Sequence, residues 1–173
     1  HKSGELGYLS STELREEIFG LIRYFRPRAI FFPDPYLHYD PNRDHFYVGK
    51  MVEEAWGYSG GGTFAPELER MGLKPYGAPE VYYYAIGRPY RAGEGGDGAA
   101  RFRPVDITAT LDRKLQALAL LKTSPETLSR DRLVALAEAV GKKHGFRYGE
   151  EFNHVGPHTG LPEHVVERAV RKP

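Results

Sequence analysis

The sequence predicts an α/β fold on a mostly parallel sheet, and three features carry that reading. An amphipathic helical pattern is followed within a few residues by a short, unbroken apolar run. A second helical pattern then begins beyond a polar loop, and Tyr-rich and alternating segments further on again give way to helical spacing. Helices and strands alternating along a chain are the signature of parallel sheets covered by helices.

The first helix opens at Ser10 and Glu13, whose S-x-x-E spacing is that of a capping box, and Leu14, Ile18, Leu21, Ile22 and Phe25 recur on one face until Pro27. Ala29-Ile30-Phe31-Phe32 is apolar throughout, as a strand covered on both faces requires, and Pro33-Asp34-Pro35 ends it. Val48, Met51, Val52, Ala55 and Trp56 restore helical spacing, with Asp44 placed to cap this second helix and Trp56 read as core. Gly57 to Gly62 closes it, and a short helix is expected around Glu67 to Met71.

Val81 to Ile86 is the next expected strand, and Gly87 to Arg103 reads as a glycine-rich exposed connector. Val105, Ile107, Ala109 and Leu111 alternate with polar residues, which predicts a strand leading into a helix from Asp112 to Lys122. Ser129 to Lys143 follows as a helix with Gly145 beyond its end, and Glu163 to Arg171 as a last short one.

Composition bounds the partners. The 173 residues suffice for one domain, expected over 1–173, and a net charge of +1 gives no field that would hold nucleic acid. With no cysteine, disulfides and thiolate metal sites are excluded, leaving His, Asp and Glu for any transition metal. No apolar run reaches the roughly 18 to 20 residues of a membrane span. The chain starts His1-Lys2-Ser3-Gly4 and enters a helix almost at once, so a longer parent protein is expected.

One segment concentrates ligand chemistry: Asp34, His38, Asp40, Asn42, Asp44 and His45 lie within twelve residues of one another. In open α/β sheets ligands bind beyond the carboxyl ends of strands, where this loop must lie. His45, at a helix start, has the fixed backbone a metal ligand needs, and zinc takes about three such ligands plus an open position. Each residue also has a plainer role: Asp44 as an N-cap, His45 as a surface histidine, Asp34 and Asp40-Pro41-Asn42 as turn chemistry. Tyr82, Tyr83 and Tyr84 are read as packing rather than as a sugar-stacking surface. Gly156 and Pro157 keep His154 and His158 off a common helix face, so that pair is read as loop.

Gly7-Tyr8-Leu9, the segment from Arg26 to Pro35, and Asn42-Arg43-Asp44-His45 with the helix to Ala55 together resemble the PIG-L or LmbE-like family; Tyr148-Gly149-Glu150-Glu151-Phe152 resembles its Tyr-Ala-Glu-x-Phe ending. The resemblance implies a Rossmann-like sheet with helices on both faces and a zinc-dependent removal of the N-acetyl group from N-acetylglucosamine conjugates. The family's His-x-Asp-His motif falls on Asn42 to His45, making His45 a zinc ligand and Asp44 the supporting acid, with Asn42 where the first His is usual. Arg43 and His38 would contact substrate. The family's His-Pro-Asp-Asp motif, source of the other ligands and the general base, is not in this chain, so the first strand-helix unit is expected to be missing. The resemblance further implies a small amino-sugar conjugate as partner, with the oligomeric state left open, homo-oligomers included; the lack of cysteine and of an export-signal pattern leads to the expectation of a cytoplasmic location. The competing reading is a non-catalytic sugar-binding protein on a degenerate deacetylase fold. Within the enzymes, amide hydrolysis of a thiol-sugar conjugate is the alternative to acetyl removal.

Overall fold

The computed structural model describes residues 6–36, 42–85, 102–121 and 129–155. After a 3-10 turn at Leu6–Tyr8 come α1 (Ser11–Phe25), β1 (Ala29–Pro33), α2 (Arg43–Ser59), α3 (Pro66–Arg70), β2 (Glu80–Tyr84), β3 (Phe102–Asp106), α4 (Leu111–Ala119), α5 (Arg130–His144) and β4 (Gly149–Val155). The fold is mixed α/β, with a four-stranded sheet in the order β1-β2-β4-β3. By contacts the chain divides into two compact units, Tyr84–Asn153 and the residues on either side of it. Among the described residues no helix is long and apolar enough to cross a membrane.

In the first unit, α1 begins at the expected capping box: Ser10 Oγ accepts from the Glu13 N–H at 3.2 Å, and Glu13 Oε2 accepts from the Ser10 N–H at 3.0 Å. Arg26 ends it in the left-handed region at φ 47°. Leu14, Phe19 and Ile22 are buried, but Leu21 and Phe25, on the expected apolar stripe, are exposed. The buried stripe is therefore narrower than the sequence period indicates, and it packs on α2. Phe32, Val52, Val81 and Tyr83 form the core between β1, β2 and α2, with Trp56 packed against it and its indole N–H donating to the Ala78 carbonyl at 2.9 Å. Each buried side chain of this size contributes about 1.5 to 3 kcal/mol. Tyr82 lies on the other face of β2, stacked on Phe31 at 4.8 Å and tilted against His154 at 4.9 Å.

Asp44 does not cap α2. Asn42 does, its side-chain oxygen accepting from the Asp44 N–H at 2.9 Å, so the helix starts at Arg43 and Asp44 lies in its first turn. Both residue types cap well, so residue type alone could not separate the two positions.

In the second unit, β3 and β4 are antiparallel, with Phe102 opposite Asn153 and Asp106 opposite Gly149. β3 ends the strand order, where Pro104, with no N–H to give, is tolerated. The alternation from Val105 to Leu111 is not one strand. Asp106 Oδ1 accepts from the Thr108 N–H at 2.9 Å, and Ile107 to Thr110 turn into α4, which buries Ile107, Leu111 and Leu115 against Ala137 of α5. The glycine-rich connector likewise stops short of Phe102, which with Arg103 belongs to β3. α5 runs from its Ser129 cap to Gly145 at φ 80°, one residue from the expected limits.

β4 was not legible as a strand, because Glu150, Glu151, Asn153 and His154 give it no apolar alternation. Glu151 is buried all the same, compensated by Lys143 and His144, each 2.6 Å from its Oε1. His154 thus lies in a strand, not a loop. Ile86, residues 87–101, Lys122, His158 and the helix expected from Glu163 to Arg171 lie outside the described residues.

Candidate active site

The candidate site grows from the junction of β1 and α2. Gly49 is the residue that sets their approach: a Cβ there would stand 2.5 Å from the Pro33 carbonyl oxygen and 3.0 Å from Pro35 Cβ. No side chain fits, so α2 presses its backbone against the end of β1. Side chains four apart share a helix face, which puts His45, Gly49 and Glu53 on one stripe of α2, the stripe that meets the end of β1.

At the head of that stripe Asn42 and His45 are locked together. Asn42 Nδ2 lies 3.1 Å from His45 Nε2, and the His45 N–H donates to the Asn42 carbonyl at 3.1 Å. Since Oδ1 of the same amide accepts from Asp44, its NH2 must donate to Nε2, and the proton of the neutral imidazole sits on Nδ1. Asp44 is largely buried beside them and His45 half-buried. Arg43 points away, donating to the Tyr47 hydroxyl at 3.2 Å, with its guanidinium 5.8 Å from that ring. The hydroxyl holds the Arg43 pKa above its ordinary value. His38 lies outside the described residues.

Asp34, just beyond β1, is buried and accepts from the Tyr36 N–H at 2.9 Å, the turn its two flanking prolines led us to expect. Behind it sits a network that sequence reasoning missed. Glu53 accepts from the Tyr36 hydroxyl, 2.8 Å from each of its oxygens, and from the Tyr83 hydroxyl at 2.6 Å. Lys50 donates to the Tyr36 hydroxyl at 2.9 Å and to Glu53 at 3.3 Å, and its ammonium stands 4.0 Å from the centre of the Tyr36 ring. Burial first, then the Glu53 hydrogen bond and charge, push the Tyr83 hydroxyl far above its usual range; Tyr36 is raised chiefly by burial. The signal was present in two spacings, Glu53 eight residues after His45 on the same helix face and Tyr83 on the inward face of β2.

Zinc fits this site only in part. Among the described residues no group of three His, Asp or Glu side chains converges, and the one imidazole at the junction has its Nε2 lone pair taken up by the Asn42 amide. The described residues alone do not make a metal centre.

The chain is similar in sequence and in fold to diacetylchitobiose deacetylases. In particular, it is 31% identical over 150 residues to the diacetylchitobiose deacetylase of Thermococcus kodakarensis, a match that takes in 84% of this chain and 51% of that protein. The chain spans about half the length of the curated relative it matches. The N,N'-diacetylchitobiose deacetylase of Pyrococcus horikoshii, solved with an inhibitor, superposes with a TM-score of 0.67 at 26% identity over 87% of this chain and 56% of its own. Protein TT1542 of Thermus thermophilus, at 22% identity over 87% of this chain and 60% of its own, shares the fold with a TM-score of 0.62. So does GalB, the 4-carboxy-2-hydroxymuconate hydratase of Pseudomonas putida, at 18% identity over 87% of this chain and 61% of its own, also with a TM-score of 0.62. No family model matches the chain.

Proposed function

We infer that this chain is part of a zinc-dependent carbohydrate N-deacetylase of the PIG-L or LmbE-like kind, one that removes the acetyl group from an N-acetylglucosamine-type conjugate. The observation that carries the reading is the 31% identity over 150 residues to a diacetylchitobiose deacetylase, joined to an Asn42-Arg43-Asp44-His45 turn at the carboxyl end of β1. That is where an open α/β sheet binds its ligands.

In this reading His45 supplies one zinc ligand and the remaining ligands come from other parts of the protein. A bound zinc polarises the amide carbonyl and acidifies a water. The chain's own residues orient. Asn42 fixes the imidazole ring through Nε2 and must release it if that nitrogen turns to a metal, when its amide becomes a donor for developing negative charge. Asp44 would act as the supporting acid in this reading, and Arg43, on release from Tyr47, would contact sugar hydroxyls together with His38. The partner is a small amino-sugar conjugate, the location cytoplasmic, and a homo-oligomer is compatible with the reading.

A second reading is favoured by the Asn42–His45 hydrogen bond itself: a ring nitrogen satisfied within the protein suits a sugar-binding relative that has given up the metal. Metal analysis separates the two. On the purified protein, His45→Ala is expected to remove most bound zinc and all acetate release from an N-acetylated chitobiose. Unchanged metal content in that variant overturns the zinc assignment. Sugar binding without any acetate release from the wild type supports the binder.

A further inference from the structure

The far end of α2 carries a second feature, built as deliberately as the first. A groove of about 440 Å³ lies between α1, the end of α2 and α3, walled by the rings of Phe19, Tyr58 and Phe64 and edged by Glu16 and Glu67. Tyr58 and Phe64 are half-exposed, yet their rings hold each other at 4.6 Å. Neither carboxylate has an ion pair or hydrogen bond among the described residues, whereas Arg15, also at the edge, is neutralised by Glu54 at 3.2 Å. Aromatic rings and two exposed carboxylates thus line the groove together.

Its wall is held by a side chain that has no other evident task. Arg23 is buried at 2% exposure and spends its guanidinium on four backbone carbonyls, those of Ser59, Gly61, Phe64 and Ala65, at 2.8 to 3.3 Å. Within that loop Ala65, which lines the groove, adopts the left-handed region at φ 48°, a conformation that costs a residue with a Cβ. A buried cation therefore holds a strained turn in place, and Phe64, at the edge of the turn, is set against Tyr58.

We propose that this groove is a binding site for a protonated amino sugar, a glucosamine-type unit whose ammonium meets the Glu16 and Glu67 carboxylates while its apolar ring face lies on Tyr58 and Phe64. Aromatic faces beside uncompensated carboxylates select a cation on an apolar body, and the volume lies in the range of small-molecule sites. The choice of an amino sugar among such cations rests on the proposed deacetylase reading, in which a free amine is the product. The site is not the β1–α2 junction: thirteen residues of helix separate His45 from Tyr58, about 20 Å along α2.

The test is binding of the glucosamine dimer, followed by NMR titration of the purified protein at a pH where the amine is charged, with the N-acetylated dimer as the neutral comparison. The charged dimer is expected to bind about tenfold more tightly than the neutral one at resonances of Tyr58 and Phe64. Glu67→Gln and Tyr58→Ala are each expected to weaken it about fivefold or more, with unchanged thermal melting for Glu67→Gln certifying the fold. His45→Ala, which strips the proposed active site, leaves this binding intact, so failure of the deacetylase reading and failure of the groove are read separately. Equal affinity for both dimers, no response at Tyr58 and Phe64, or full affinity in Glu67→Gln and Tyr58→Ala overturns the proposal.

Discussion

The Asn42 amide nitrogen stands 3.1 Å from Nε2 of His45, and one planar group thereby fixes both the start of α2 and the tautomer of the imidazole. Its oxygen is committed to the helix, so its nitrogen end has no choice of partner. Asn42→Ala is expected to cost about 1 kcal/mol of stability through the lost cap, read as a lower denaturant midpoint at unchanged slope. Asn42→Asp keeps the cap but replaces the donor by an acceptor, so the imidazole proton moves from Nδ1 to Nε2. Nitrogen NMR of the His45 ring distinguishes the tautomers, and a ring protonated on Nε2 in the wild type would refute the assignment.

Glu53 carries a comparable load deeper in the same stripe. Glu53→Ala leaves the Tyr83 hydroxyl buried without its acceptor and releases Tyr36, for an expected loss of about 1 to 3 kcal/mol. Tyr83→Phe removes the hydroxyl and its need together and is expected to cost less than Glu53→Ala. Equal losses in chemical denaturation would show that the network does not act through this pair.

The same tyrosine sets an alkaline limit. Its folded pKa is raised, by burial before all else, so the folded state keeps a proton that the unfolded chain gives up at about pH 10. The stabilisation is complete below that pH and is lost as pH rises above it. Tyr83→Phe should flatten the fall in stability between neutral and strongly alkaline pH, and a fall as steep as in the wild type would place its cause elsewhere.

The parts of this fold that were legible in the sequence are those decided by local chemistry. The capping box at Ser10 and Glu13, the helical stop at Gly145 and the apolar run into Pro33 each announce a backbone conformation within a few residues. β4 was hidden because Glu151 reaches the interior only with Lys143 and His144 to compensate it, a pairing that exists only once α5 has been laid down. The site divides along the same line. His45 could be singled out from its position after a strand, but Glu53 reads as one more charge on a helix until Tyr36 and Tyr83, from two different strand ends, converge on it. Asn42 and Asp44 are both good caps, so residue type alone does not decide between them, and in the fold it is Asn42 that caps.

Two glycines of α2 make opposite predictions. At Gly57 nothing lies within 4 Å of an added Cβ, so Gly57→Ala is expected to stabilise by about 0.5 to 1 kcal/mol through helix propensity alone. At Gly49 the same gain is overwhelmed, because the Cβ would meet a backbone carbonyl at 2.5 Å and α2 would have to move off β1. Gly49→Ala should cost about 1 to 3 kcal/mol net. Since that movement displaces the face bearing His45, it should also shift the His45 ring nitrogen resonances while Gly57→Ala does not. A tolerated Gly49→Ala would mean that the contact between α2 and β1 is looser than 2.5 Å implies.

Arg23 gives the sharpest distinction between charge and shape. Its four carbonyl acceptors on the turn from Ser59 to Ala65 match the planar fork of a guanidinium and not the compact ammonium of lysine. Arg23→Lys preserves the charge yet, with three donors for four carbonyls, leaves at least one of them without its donor, for an expected loss of about 1 to 3 kcal/mol. The Phe19 ring, 5.7 Å from the guanidinium carbon, loses that planar group as a neighbour as well. Because the turn carries Phe64, the variant should also show faster amide exchange from Gly61 to Ala65 and a weakened Tyr58–Phe64 pair in aromatic NMR contacts. A lysine variant with native melting and native exchange in that turn would mean that its strained Ala65 is held by something other than Arg23.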